Sequence, residues 1–160
     1  MSMVEIHNSV AKVYEENIET LEIFECLDEF SDTQNFCDHY GFNIEDSCNA
    51  ILIKAKKPEE FYAMFCVLGA NRLDVNHKAK EAMGAKRVSF ASREEAEAVT
   101  GQIYGGISPL GLPENIKVYM DKNVTDREKL FIGAGNRVSK FFLSPETLID
   151  LSSATVLDLT

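Results

Sequence analysis

Apolar and polar positions along the chain switch repeatedly between a helical and an extended spacing. Residues 9–17 read as a helix and residues 21–26 as a short strand. A second helix begins at Ser31 and ends at Gly41, a residue suited to the left-handed turn that closes a helix. Residues 49–55 form a mostly apolar strand, and 61–68 are apolar without interruption, the pattern of a strand buried on both faces. Asp74 is placed to cap a helix with Val75, Ala79 and Met83 on one side and Lys78 and Lys80 outward. Residues 87–90 read as a short strand. Ser92-Arg93-Glu94-Glu95 is a capping box opening a helix with Ala96 and Val99 inward. Residues 116–120 and 130–132 are strands, and Ser144-Pro145-Glu146 sets cap, proline and acid in the order of a helix start. Residues 156–159 close the sheet. This irregular alternation predicts an α/β fold on a mixed sheet, in a single domain over residues 1–160.

Composition narrows the class. With 45% hydrophobic residues in 160, the chain has enough apolar surface for a core without metal or disulfide support. The first residues carry neither a basic nor an apolar region of the kind a secretory signal needs, and no stretch suits a membrane span. Four cysteines without a C-x-x-C pair suit reduced thiols, and a cytoplasmic location is expected. Cys37 and His39 lie close together but lack a second ligand pair for zinc.

The net charge of −10 argues against bulk electrostatic binding of nucleic acid. Its distribution changes the picture. Residues 1–49 carry one basic and twelve acidic side chains, whereas residues 50–90 carry eight basic and four acidic ones. The positive stretch holds Lys78, Lys80, Lys86 and Arg87, a candidate phosphate-contacting patch.

Candidate chemistry concentrates in residues 100–113, T-G-Q-I-Y-G-G-I-S-P-L-G-L-P. Four of the nine glycines and two of the four prolines fall here, interleaved with apolar residues. Such a loop is folded, with backbone exposed to a close-approaching ligand and N–H groups able to cradle an oxygen. It matches neither the G-x-x-x-x-G-K-[ST] phosphate loop nor the G-x-S-x-G nucleophile elbow. A ligand loop and a purely structural Ω-loop both fit this composition.

The segment T-G-Q-I-Y-G-G-I-S-P-L-G-L resembles the T-G-x-x-x-G-G-[IV]-x-P-[LF]-G signature of YbaK/ProX-type aminoacyl-tRNA deacylases. These are free-standing relatives of the editing domain inserted in bacterial prolyl-tRNA synthetases. Similarity extends to L-D-V-N-H-K-A-K-E-A-M-G-A-K-R-V-S-F-A (73–91), V-Y-M-D (118–121) and F-I-G-A-G-N-R (131–137). It covers residues 20–158 and leaves 1–19 as an N-terminal helical extension. The resemblance implies a barrel-like mixed β-sheet with surrounding short helices. It also implies hydrolysis of the ester joining a mischarged small amino acid to tRNA, with no cofactor and no metal. The partners implied are the aminoacyl-tRNA 3′ end and an aminoacyl-tRNA synthetase.

By the same resemblance Asn49, Gly105 and Gly106 are the catalytic positions. Ile107, Ser108, Pro109, Asp121, Gly133, Ala134, Gly135 and Asn136 are the matching substrate-binding positions. Lys140 joins them as a candidate substrate-binding cation where many relatives carry an acidic residue. The positive balance of residues 50–90, not the resemblance, makes Lys78, Lys80, Lys86 and Arg87 the candidate tRNA contacts. One position departs from the family. Its lysine, in a K-[ST]-L-[LV] pattern at a strand start, is replaced by Asn49 within C-N-A-I-L-I. A charged donor contributes ~1.5–3 kcal/mol against ~1 for a neutral one, so the site is weakened unless another cation serves. Lys54, five residues on, points to the opposite face, which leaves Lys140 as the relocated-cation candidate against the alternative of an exposed strand lysine. Two functional classes stay open: a trans-editing hydrolase, and a silent paralogue binding aminoacyl-tRNA or a synthetase. Structural alternatives are close strand packing for Gly133 and Gly135, a turn cap for Asp121, and a left-handed turn position for Asn136.

Overall fold

A computed structural model describes residues 4–160; the first three residues of the N-terminal extension lie outside the described residues. The elements in chain order are α1 (Asn8–Glu16), β1 (Glu22–Glu25), α2 (Thr33–Tyr40), β2 (Cys48–Lys57) and β3 (Phe61–Leu68). A π-helical turn, Val75–Ala79, leads into α3 (Lys80–Met83), followed by β4 (Arg87–Phe90), α4 (Arg93–Thr100) and β5 (Lys117–Asp121). The remainder comprises β6 (Leu130–Gly133), β7 (Ser139–Leu143), α5 (Pro145–Ser152) and β8 (Thr155–Leu157).

Two sheets result. One is antiparallel, in the order β1-β7-β6; the other is mixed, in the order β4-β2-β3-β5-β8, with β3, β5 and β8 parallel. A single parallel bridge, Ser47 to Phe131, links them among the described residues, so the barrel-like arrangement is not closed. β3 is buried on both faces as its uninterrupted apolar run predicts. Met64, Cys66 and Leu68 enter the main core with Leu52, Met120, Leu130 and Phe141, while Ala63, Phe65 and Val67 meet Leu73, Ala79 and Met83. A third cluster, Phe36, Phe131 and Phe142 with Phe24 and Phe42, packs α2 on the smaller sheet. The N-terminal helix is part of the body: Val10 is fully buried in the main core.

Local signals explain where the helices begin and end. Gly41, Gly84 and Gly101 close α2, α3 and α4 in left-handed conformations. The capping box at Ser92 and Glu95 forms in full. Glu95 also accepts from Lys54 Nζ at 2.7 Å and from the Tyr62 hydroxyl at 2.8 Å, tying α4 to β2 and β3. These donors and the Ser92 backbone hold the Glu95 carboxyl at about 2, well below the usual carboxylate range.

One strand is absent from the sequence reading. β7, S-K-F-F-L, is the centre of the three-stranded sheet and is buried throughout, so it shows no polar–apolar alternation. Its pairing with β1 and β6 carries Lys140 opposite Phe24 and Gly133.

Candidate functional site

β4 pairs with β2 from Ile53 onward, which leaves Cys48–Ile51 as an open edge. Facing that edge is a cavity of about 320 Å³, lined by Asn49 and Ile51, by Tyr104, Gly105, Gly106 and Ile107 of the glycine loop, and by Gly133 and Lys140. The structure thus brings Asn49, Gly105, Gly106, Ile107, Gly133 and Lys140 to one place from four separate segments of sequence.

The loop is clipped to the β6–β7 turn by the absence of side chains. A Cβ on Gly106 would overlap the Asn136 carbonyl, and one on Gly133 would meet the carbonyl oxygens of Gly106 and Ile107. Gly135, with φ 93°, donates to Gly106 O at 2.7 Å and accepts from Ile103 N–H at 2.9 Å. Gly133 therefore serves close backbone packing and lines the cavity as well. Gly135 occupies the left-handed turn position that the sequence reading assigned to Asn136.

Within the loop the N–H groups have distinct fates. Gly106 N–H closes a turn on Ile103 O, Tyr104 N–H is taken by Glu97, and Ser108 N–H by the Gln102 side chain. Among the described residues no acceptor faces the N–H groups of Gly105 and Ile107, both of which lie at the cavity. Gln102, buried and unremarked in the sequence, is the clamp of the loop. Its Nε2 donates to Leu110 O at 2.9 Å while its Oε1 accepts from Ser108 N–H. A buried glutamine bonding backbone on both sides of a turn leaves no periodic signal to read.

Lys140 is not the exposed strand lysine considered as an alternative: it is 6% exposed. Its Nζ donates to Ser31 O at 3.0 Å and lies 5.0 Å from the Phe36 ring centroid. Burial pushes its ammonium below the ordinary lysine value. Asn49 is exposed, and its Oδ1 meets Ser47 Oγ at 3.5 Å, with no local backbone bond among the described residues. Lys54 points away from the cavity and is engaged with Glu95.

Other expected site residues stand elsewhere. Ser108 is fully buried, its hydroxyl accepting from Leu110 N–H at 3.1 Å, and Pro109 lines a different hollow. Ala134 is packed in the main core. Asp121, fully buried, caps the following turn through Asn123 N–H and holds the C-terminal segment through Leu159 N–H at 2.8 Å. Asn136 is committed to Glu5 O, Val138 N–H and the Ser139 hydroxyl. None of these five reaches the cavity wall. Of the basic patch, Lys78 is half-buried and bonded to Asp158 at 3.0 Å, contrary to its expected outward position, while Lys86 and Arg87 are exposed.

The cavity holds little acid–base chemistry. Cys48 lies in its wall, but a hydrogen bond with Cys66 and burial raise its thiol well above the ordinary value, so it supplies no thiolate. His7 caps α1, His39 stacks on Phe30, and His77 pairs with Asp74, all outside the cavity. Among the described residues no group of three His, Cys, Asp or Glu is placed to hold a metal. The residues lining it carry hydrogen-bond donors instead: the backbone N–H groups of Gly105 and Ile107, the Asn49 amide, and Lys140, whose ammonium is anchored at Ser31 O.

Comparison with known proteins gives the family and the fold. The aminoacyl-tRNA editing domain model covers residues 28–151, and the chain belongs to that family. Enterococcus faecalis EbsC, described as a Cys-tRNA(Pro)/Cys-tRNA(Cys) deacylase, is 30% identical over 92 residues, covering 58% of this chain and 56% of EbsC. The proline–tRNA ligase of Nautilia profundicola is 35% identical over 108 residues, covering 59% of this chain and 18% of the ligase. The chain therefore spans about half of EbsC and a minor part of the ligase. A crystal structure described as a trans-editing enzyme for prolyl-tRNA synthetase superposes with TM-score 0.82 at 22% identity, covering 98% of this chain and 99% of that one.

Proposed function

We propose that the protein is a trans-editing aminoacyl-tRNA deacylase that hydrolyses the ester of a mischarged small amino acid on the tRNA 3′ end. The observation that carries this reading is that Gly105 and Ile107, whose N–H groups form no protein hydrogen bond among the described residues, line one cavity together with Asn49 and buried Lys140. These donors suit the carbonyl oxygen of an ester as it gains negative charge. An aminoacyl ester is already activated, so positioning and oxyanion stabilisation suffice without a nucleophilic side chain. Water, assisted by the neighbouring ribose hydroxyl, adds to the carbonyl carbon and the bond to the ribose oxygen breaks. That oxygen takes the proton that water gives up, so the free amino acid and the tRNA end are released.

Cavity size supports a small side chain. At about 320 Å³ it lies at the lower end of the roughly 300–1,000 Å³ typical of small-molecule sites, and it takes part of the ribose as well. Lys140 supplies the positive charge that Asn49 lacks, which favours turnover over the silent-paralogue alternative. The tRNA 3′ end is the partner of this site, and a synthetase donating the mischarged tRNA is the second.

Single-turnover deacylation of a panel of mischarged tRNAs tests the proposal. Release of at least one small amino acid above its spontaneous rate is expected. Spontaneous rates throughout contradict it and leave the binding-module reading.

A further inference from the structure

A second hollow, of about 600 Å³, adjoins the cavity across Thr33, Tyr104 and Gly105, which line both. Its other walls include Arg93, Arg137 and Asp32. Tyr104 is 48% exposed, and its backbone is fixed by the 2.8 Å bond from its N–H to Glu97. The Arg93 guanidinium lies 5.6 Å from the Tyr104 ring centroid, forming an aromatic–guanidinium platform at the lip of the cavity. Arg93 is exposed and has no carboxylate partner among the described residues. Arg137 spends Nε and Nη2 on Asp28, at 3.1 and 3.2 Å, and packs Nη1 against Gly105 with no acceptor among the described residues.

An ester seated in the cavity is attached to a single-stranded RNA end that must leave along the surface. Aromatic rings and guanidinium planes are the side chains on which unpaired bases stack. We propose that this hollow receives a nucleotide of the tRNA 3′ end, its base on the Tyr104–Arg93 platform and its phosphate at Arg137 Nη1. The proposal rests on the deacylase reading of the adjoining cavity. Asp28 is paired with Arg137, and Asp32 lines the hollow as well, so stacking dominates and charge contributes modestly, in keeping with an acidic chain. The larger hollow on the other side of Asn49 is a poorer match. It also holds exposed Phe90 and Arg72, but among the described residues no guanidinium lies over that ring. Its walls include apolar Val67, Leu73 and Val75, and its His77 is engaged with Asp74 at 3.2 Å.

Fluorescence anisotropy with an uncharged oligoribonucleotide ending in ACCA tests the subsite without requiring turnover. Tyr104→Ala is expected to weaken binding at least about fivefold and Tyr104→Phe to retain it. Arg93→Gln is expected to weaken it as well. The slope of log affinity against log salt should be shallow, about −0.7 to −1.4 for one or two phosphates, and lower by about 0.7 in Arg137→Gln. Thermal melting checks that each variant is folded. Undetectable binding by the wild type up to about 1 mM, or equal binding by wild type and Tyr104→Ala, overturns the proposal. So does a loss caused by Phe90→Ala, in the other hollow, in place of Tyr104→Ala. Tyr104-dependent binding by a protein that releases no amino acid upholds the subsite while removing the deacylase reading. Turnover without Tyr104 dependence does the reverse.

Discussion

Lys140 donates to the carbonyl oxygen of Ser31 at 3.0 Å, so a lysine in the central strand of the smaller sheet is held inside the protein with two N–H donors to spare. The residue that would ordinarily mark a solvated strand face instead lines the same cavity as Asn49 and the glycine loop.

The titration of Lys140 predicts a pH profile. Burial disfavours the charged form, so its folded pKa lies below the ordinary lysine value of about 10.4. If the charged ammonium assists the reaction, the protein-dependent rate falls as pH rises through that lowered value. After subtraction of spontaneous hydrolysis, single-turnover rates from neutral to alkaline pH should show this fall. A protein-dependent rate that keeps rising in parallel with spontaneous hydrolysis argues against the charged role.

Glycine at 106 and 133 is required by backbone contact. Gly133→Ala sets a Cβ against the Gly106 carbonyl oxygen at 2.6 Å, and overpacking of this kind costs ~1–3 kcal/mol. Because the displaced atoms belong to the glycine loop, loss of turnover should accompany the loss in thermal stability. Gly41→Ala is the contrast. It meets open space but has φ 79°, so a cost of ~1–2 kcal/mol with turnover retained is expected.

Gln102 predicts a loop-specific defect. Gln102→Leu leaves Ser108 N–H and Leu110 C=O unpaired in a buried setting, at ~1–3 kcal/mol for each group. Gln102→Glu keeps the acceptor but sets a buried carboxylate against Leu110 O, so at neutral pH its urea midpoint should fall at least as far below wild type as that of Gln102→Leu.

Acid unfolding should carry the signature of Glu95. Its folded carboxyl titrates at about 2, below its ordinary 4.5, so the stability it contributes is present above about 4.5. That contribution is lost progressively as pH falls from there towards 2. In Glu95→Gln the urea midpoint between pH 5 and pH 2.5 should change less steeply than in the wild type. Parallel curves contradict the assigned network.

How much of this was legible in sequence follows from which forces leave a pattern. Caps and glycine terminators act within four residues, so Ser92–Glu95, Asp74 and Gly41 were readable. The uninterrupted run of β3 announced burial on both faces. β7 was not readable because S-K-F-F-L, buried throughout, shows neither strand alternation nor helical spacing. Lys140 looked ordinary for the same reason, since lysine in a short segment reads as surface. The glycine loop was recognisable, but a motif carries no directions. Ser108, Pro109, Asp121, Ala134, Gly135 and Asn136 lie in matching segments yet serve packing or backbone bonding away from the cavity. Gln102, the clamp, lies within the motif itself, but a lone glutamine carries no pattern that marks its backbone bonds. Net charge is a coarse guide, because the acids concentrate in residues 1–49, which give the cavity Thr33, Cys48 and Asn49, while its other walls come from segments of different balance.

Asn49 tests the division of labour in the site. If Lys140 already supplies the charge, Asn49→Lys should alter single-turnover rate modestly, whereas Asn49→Ala removes an amide donor worth ~1 kcal/mol, about fivefold. A gain of a hundredfold or more in Asn49→Lys would mean the natural site lacks an effective cation.

The most direct measurement is the single-turnover release of a mischarged amino acid by wild type and by Lys140→Ala, on the tRNA the wild type deacylates best. Loss of a charged donor worth ~1.5–3 kcal/mol predicts a rate about 10- to 150-fold lower, with the variant folded. An unchanged rate in folded Lys140→Ala would contradict the assignment of the working cation and with it the account of this cavity.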